Sequence, residues 1–94
     1  MKDDKVYGSY FEHVKTFPCA VMGEGVECFG EVTGHHLKSV GSGGQDAGNL
    51  VPLCEGHHTE IHTSGLYDFD RKYFNDLKLY AKALWNRWSE ERAA

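Results

Sequence analysis

No apolar run in this sequence approaches the roughly 18–20 residues that a helix needs to cross a bilayer, and no signal peptide is visible. A soluble, cytoplasmic protein without a membrane partner is therefore expected. Basic charge is also short: 10 Lys and Arg stand against 14 Asp and Glu, a formal net charge of −4. That balance disfavours strong non-specific binding to nucleic acid, which rests on Lys and Arg neutralising phosphates. The disadvantage is partly offset if the acids lie away from a site and a bound divalent cation adds local positive charge. There are 2 prolines, Pro18 and Pro52, and 3 cysteines. An odd number of thiols in a cytosolic chain disfavours a disulfide framework and favours thiolates that share a metal with histidine. Buried free thiols and a Cys19–Cys28 disulfide are the alternatives. The glycine-rich loop lacks the Gly-Lys-Ser/Thr ending of a nucleotide-binding P-loop, and no internal repeat is visible.

What is present is one small domain of 94 residues, with 40% hydrophobic and 13% aromatic content. These are globular values, so disorder is expected only at residues 1–5 and 90–94. A core this small has little stability to spare, and a metal could cross-link it. Tyr10, Phe11, Val14 and Phe17 predict a short amphipathic helix that stops before Pro18. Residues 19–30, broken by Gly23, Gly25 and Gly30, predict a turn or knuckle holding Cys19 near Cys28. Residues 31–37 carry Val32 and Thr33 and are compatible with a strand. Residues 39–48 hold four glycines and predict a mobile surface loop. Pro52 limits residues 49–53 to a short edge strand or a turn. Residues 55–63 predict a short helix stopped at Ser64-Gly65. Asp68 or Asp70 then caps a long scaffold helix over about 70–91, with Tyr73, Leu77, Tyr80, Leu84 and Trp88 on one face.

Of the 6 histidines, His35, His36, His57, His58 and His62 cluster in the middle of the chain. Imidazole is the side chain suited both to holding metals and to moving protons near neutral pH. Cys19, Cys28, Cys54 and His57 offer the donor set that tetrahedral zinc accepts. Cys54 and His57 form a CxxH pair opening a helix, whereas eight residues separate Cys19 from Cys28, more than in a usual knuckle. His58 and His62, four apart on a helix, project from one face and can grip one cation, with His35 as a third ligand. Adjacent histidines point about 100° apart on a helix, so His57 and His58 can serve different ions. His35 and His36 likewise alternate across a strand, which leaves one free to accept a proton. Cys54 is within a helical turn of either His57 or His58, so that assignment stays open. Glu60 is third in His58-Thr-Glu-Ile-His62, whereas a zinc-protease HExxH helix places its glutamate second.

From about Pro18 to Gly65 the ordered combination Gly34-His35-His36, a glycine-rich loop, Asn49-Leu50-Val51-Pro52-Leu53-Cys54 and a helix bearing His57-His58 and His62 resembles the HNH endonuclease family. The lead-in over residues 10–19 is similar to that of small phage and prophage HNH proteins. The resemblance implies an α+β fold: a ββα-metal core, zinc-stapled, with a short N-terminal and a long C-terminal helix. It implies His36 as general base, His35 and His58 as ligands of the catalytic ion, and His62 as the extra histidine of a three-histidine site. Asn49 would brace the loop that orients the base. Cys54 and His57 match a pair that many members write as CxxC, so His57 departs from the pattern, as does the wide Cys19–Cys28 spacing.

The implied activity is DNA phosphodiester hydrolysis, by nicking or double-strand cleavage, leaving 5′-phosphate and 3′-hydroxyl ends. The cofactors are a structural Zn²⁺ and a catalytic divalent cation, for which Mn²⁺, Ni²⁺, Co²⁺, Mg²⁺ and Zn²⁺ are candidates. Duplex, nicked or branched DNA is the expected partner, alongside other phage or host proteins, and the chain is expected to be monomeric. Little sequence selectivity is expected, because no separate recognition helix or basic arm is evident. Lys38, Arg71, Lys72, Lys78, Lys82 and Arg87 read as scattered surface cations. The rival from another class is a catalytically silent zinc-binding interaction module of a phage packaging or recombination complex, with Trp85 and Trp88 as its contact face. A third reading changes the substrate to RNA or a structured junction.

Overall fold

The structure, a computed structural model, describes residues 10–21, 26–38, 46–73 and 75–93. The expectations for Gly23, Gly25, residues 39–45, residues 1–5 and residue 94 lie outside these residues, whereas residues 90–93, expected to be disordered, are helical. The fold is α+β. A helical stretch over residues 10–14 (α1) leads to β1 (Val32–His36), β2 (Leu50–Cys54), α2 (Glu55–Ser64), α3 (Leu66–Tyr73) and α4 (Leu77–Ala93).

β1 and β2 form a two-stranded antiparallel sheet with Val32 opposite Cys54, Gly34 opposite Pro52 and His36 opposite Leu50. In a two-stranded sheet each strand has an open edge, which is where a proline without an N–H is tolerated. The Pro52 carbonyl accepts from the Ala20 backbone N–H at 2.8 Å, tying the segment bearing Cys19 to β2. All five residues of β2 are buried. They face two apolar clusters, and such a strand reads as a continuous apolar run rather than an alternating one. One cluster contains Val51, Leu53, Ile61, Phe69, Leu77 and Ala81. The other joins Tyr10 and Val14 of α1 to Leu50 and to Leu84 and Trp88 of α4. Helix α4 thus bridges both clusters.

The single helix expected over 70–91 is two helices. Asp70 does not cap it but lies inside α3, and its Oδ1 accepts from the Leu77 N–H at 3.3 Å. Asp76 Oδ1 accepts from the Leu79 N–H at 3.1 Å and so caps α4. Asn75 and Asp76 favour caps and turns over helix interiors, and here they outweigh the continuous apolar stripe. Tyr73 therefore belongs to α3 while Leu77, Ala81, Leu84 and Trp88 are buried along α4. Trp88 is only 6% exposed, and the Trp85 ring meets Tyr10 edge-on at 4.9 Å, so the pair serves packing rather than an open contact face. His13 packs against Trp88 and Phe17 at ring distances of 4.6 and 5.1 Å. Among the described residues, no helix is long and apolar enough to cross a membrane.

Candidate functional site

Helix α2 carries two ligand sets on different faces. At its start, Cys54 is the N-cap and its sulfur accepts from the His57 N–H at 3.5 Å. The His57 ring nitrogen Nδ1 lies 3.1 Å from Cys54 Sγ, 3.4 Å from Cys19 Sγ and 3.7 Å from Cys28 Sγ. One ring nitrogen cannot hydrogen-bond three sulfurs well, but it can share a cation with them. Zinc bonded at about 2.3 Å to sulfur and about 2.1 Å to nitrogen places such atoms about 3.6 Å apart. The four donor atoms lie within 4.8 Å of one another, so the corner can hold a metal such as zinc. Desolvation, then the Cys54 and Cys19 sulfurs, push the Cys28 thiol up to about 12. Three thiolates therefore share this corner only when a cation offsets their charge. All three cysteines are free, which excludes the Cys19–Cys28 disulfide.

One residue further round α2, His58 turns to a different face. Its Nε2 lies 3.1 Å from His62 Nε2, and the His35 ring is centred 5.0 Å from His58 and 5.1 Å from His62. The ligand nitrogens of these three again lie within 4.8 Å of one another. Two nitrogens at about 2.1 Å from one cation, 90–110° apart, would be about 3.0–3.4 Å apart. Burial, followed by the charges of His58, His62 and His36, lowers His35 to about 4. Burial and then His62 likewise lower His58. Both rings are therefore neutral near pH 7 and keep a lone pair for a metal. The set runs from buried His35 to exposed His62, and it borders a cleft of about 220 Å³ lined in part by His35, His36, His62 and Leu66. A ligand set of three with one side open to solvent leaves room for a further ligand, unlike the four-donor corner.

The alternation of β1 sends His36 away from the ligand set. Its ring stacks on Phe11 with centroids 6.2 Å apart and planes at 27°. A Cβ at Gly34 would lie 3.0 Å from the Phe11 ring, so any other residue there would push that ring by a few tenths of an ångström. Asp46 Oδ1 lies 2.7 Å from His36 Nε2. An ionised carboxylate can only accept, so Nε2–H is the donor and Nδ1 is left as the ring's acceptor. Asp46 was not legible as a site residue, since nothing in a glycine-rich loop marks which polar residue folds back ten positions. Among the described residues, the side chain of Asn49 hydrogen-bonds to Lys38 and not to His36. Its Oδ1 accepts from the Lys38 N–H and its Nδ2 donates to the Lys38 carbonyl, both at 2.8 Å. It therefore clamps the chain leaving β1 to the chain entering β2.

Glu60 points away from His58 and His62. It accepts from Lys72 Nζ at 2.7 Å and Tyr73 Oη at 2.6 Å, fastening α2 to α3. Burial would raise its carboxyl, but the hydrogen bonds from Lys72 and Tyr73 outweigh that and hold it below the usual range.

Over 70 residues, 74% of its length, the chain is 36% identical to "Uncharacterized protein YdfU" of Escherichia coli (strain K12). It spans only 20% of that protein's length. No family model matches the chain, and no solved structure matches it.

The Asp46 contact carries a test. Asp46→Ala is expected to lower the rate of a His36-dependent reaction by about 10- to 100-fold, with metal content and KM unchanged. Asp46→Asn, which keeps an acceptor, should recover part of the loss. Ring ¹⁵N NMR should show one His36 tautomer in the parent and a mixture in the alanine variant. A single tautomer in both would mean that Asp46 does not orient the ring.

Proposed function

We propose that this chain is a metal-dependent endonuclease of the HNH type that hydrolyses DNA phosphodiester bonds. One observation carries this reading: three imidazoles converge on an open cleft beside a fourth imidazole held by a carboxylate. Hydrolysis of a phosphodiester needs a water aligned with the leaving oxygen, a proton acceptor and positive charge for the phosphate. His35, His58 and His62 would hold the divalent cation, which when bound supplies that charge and stabilises the leaving 3′ oxygen. His36 accepts the water's proton at Nδ1. Asp46 accepts from Nε2–H and so selects the tautomer whose lone pair is on Nδ1, Phe11 fixes the plane of the ring, and Asn49 anchors the strand ends that carry it. Cys19, Cys28, Cys54 and His57 would hold zinc as a staple, fixing the start of α2 and thereby the direction of His58 and His62.

A zinc-stabilised interaction module would need only the cysteine corner. It gives no reason for three imidazoles around a cleft or for the Asp46–His36 pair. The test is nicking of supercoiled plasmid by chelator-treated, zinc-restored protein supplied with Mg²⁺, Mn²⁺, Ni²⁺, Co²⁺ or Zn²⁺. All-imidazole ligation favours borderline transition metals, so Mn²⁺, Ni²⁺ or Co²⁺ should serve at least as well as Mg²⁺. Absence of nicking with every ion would refute the nuclease reading, and strict dependence on Mg²⁺ would refute the three-histidine site.

A further inference from the structure

The sequence presents its cations as scattered, but the fold sorts them. Among the described residues, Lys15 pairs with Glu12, Lys72 with Glu60 and Arg87 with Glu91. Arg71 lies over the Tyr67 ring and Arg92 over the Trp88 ring. Three described cations remain without an ion pair or ring contact, namely Lys38, Lys78 and Lys82, and all three line one cleft of about 420 Å³. Lys78 and Lys82 are one helical turn apart on α4 and share a face. Lys38 follows β1 and is held by the two Asn49 hydrogen bonds. Among the described residues no carboxylate lines the cleft, and Asp70 interacts electrostatically with Lys78. Leu37 and Leu66 line both this cleft and the one bordered by His35, His36 and His62, so the two are adjacent.

Three ammonium groups without an ion pair line one cleft in a chain of net charge −4, next to the histidine cleft. Exposed cations gathered on one cleft suit a polyanion, whose binding releases counterions. Among the described residues the lining carries no aromatic ring on which an unpaired base could stack, and single-strand grooves depend on such rings. We propose that Lys38, Lys78 and Lys82 hold the sugar–phosphate backbone of duplex DNA next to the scissile bond. The inference rests on the proposed nuclease function for its choice of substrate. It adds α4, a helix outside the histidine motif, to the substrate surface, and it resolves how an acidic chain engages DNA: the cations that face the substrate are those left unpaired.

The test is fluorescence anisotropy with a labelled DNA duplex at several salt concentrations. Zinc-loaded full-length protein carrying His36→Ala keeps the duplex intact. Adding Lys38→Gln, Lys78→Gln and Lys82→Gln together is expected to weaken binding at least about tenfold. The slope of log affinity against log salt should fall by about 2 to 3. A control with Lys15→Gln, Lys72→Gln and Arg87→Gln removes as much charge and should leave the slope nearly unchanged. Thermal melting verifies that both proteins are folded. Equal slopes in the two triple variants, no measurable binding by the parent, or tighter binding of single-stranded than duplex DNA would each overturn the proposal. If plasmid nicking fails with every metal while the lysine-dependent slope persists, the nuclease reading falls and the binding surface stands. If nicking occurs and the slopes are equal, only the surface falls.

Discussion

Replacing His36 with alanine should lower plasmid nicking by about two to four powers of ten and leave both metals bound. General-base catalysis by a positioned side chain contributes about that factor. Retention of the metals follows from strand geometry: His35 and His36 point to opposite faces of β1, and only His35 is grouped with His58 and His62. His36 is held from the other side, by Phe11 and Asp46. The comparison with His62→Ala is the informative one. Losing His62 should also suppress nicking, but by weakening metal affinity, so excess Mn²⁺ should recover part of the activity. No excess of metal should recover the His36 variant. Nicking by His36→Ala at the parental rate would remove this ring from the chemistry, and recovery by added metal would make it a ligand instead.

The second large effect concerns the cysteine corner. Stripping zinc, or replacing Cys54 with serine, is expected to abolish cooperative thermal unfolding, because the folded state would no longer persist at 25 °C. Cys54 ends β2, caps α2, is 1% exposed and lies in the larger apolar cluster. Apparent binding energies of structural zinc, about 10–16 kcal/mol, match or exceed the total stability of a small domain, about 5–15 kcal/mol. Circular dichroism melts with metal analysis decide it. The reference is His62→Ala, whose exposed side chain leaves the second set without disturbing the first, and its melting temperature should move little. An unchanged melt after complete zinc removal would show that apolar packing alone sustains the fold.

Much of the local structure was legible because it depends on short spacings. Of the four residues that read as one apolar face, Tyr10 and Val14 are fully buried and Phe11 and Phe17 partly so, and Gly65 ends α2 with φ of 85° while its N–H bonds to Ile61. His58 and His62 face the same way because four residues on a helix impose it. The break between α3 and α4 was misread since the apolar stripe continues through it. There the hydrogen-bonding preference of Asn75 and Asp76 prevails over periodicity.

The amino-acid order by itself determined which donors exist, that the two strands and α2 follow one another, and that His57 and His58 must diverge by about 100°. It left open which of these two joins the cysteines, whether Cys19 and Cys28 join at all, and which polar side chain holds His36. Tertiary structure decided those points: His57 meets three sulfurs, His58 meets His35 and His62, Asp46 reaches His36, and three lysines meet at one cleft. The division has a physical cause. Contacts within a turn of helix or along a strand are set by backbone geometry. Contacts between residues ten to forty apart depend on how loops close and what the core packs against, and no local spacing encodes that.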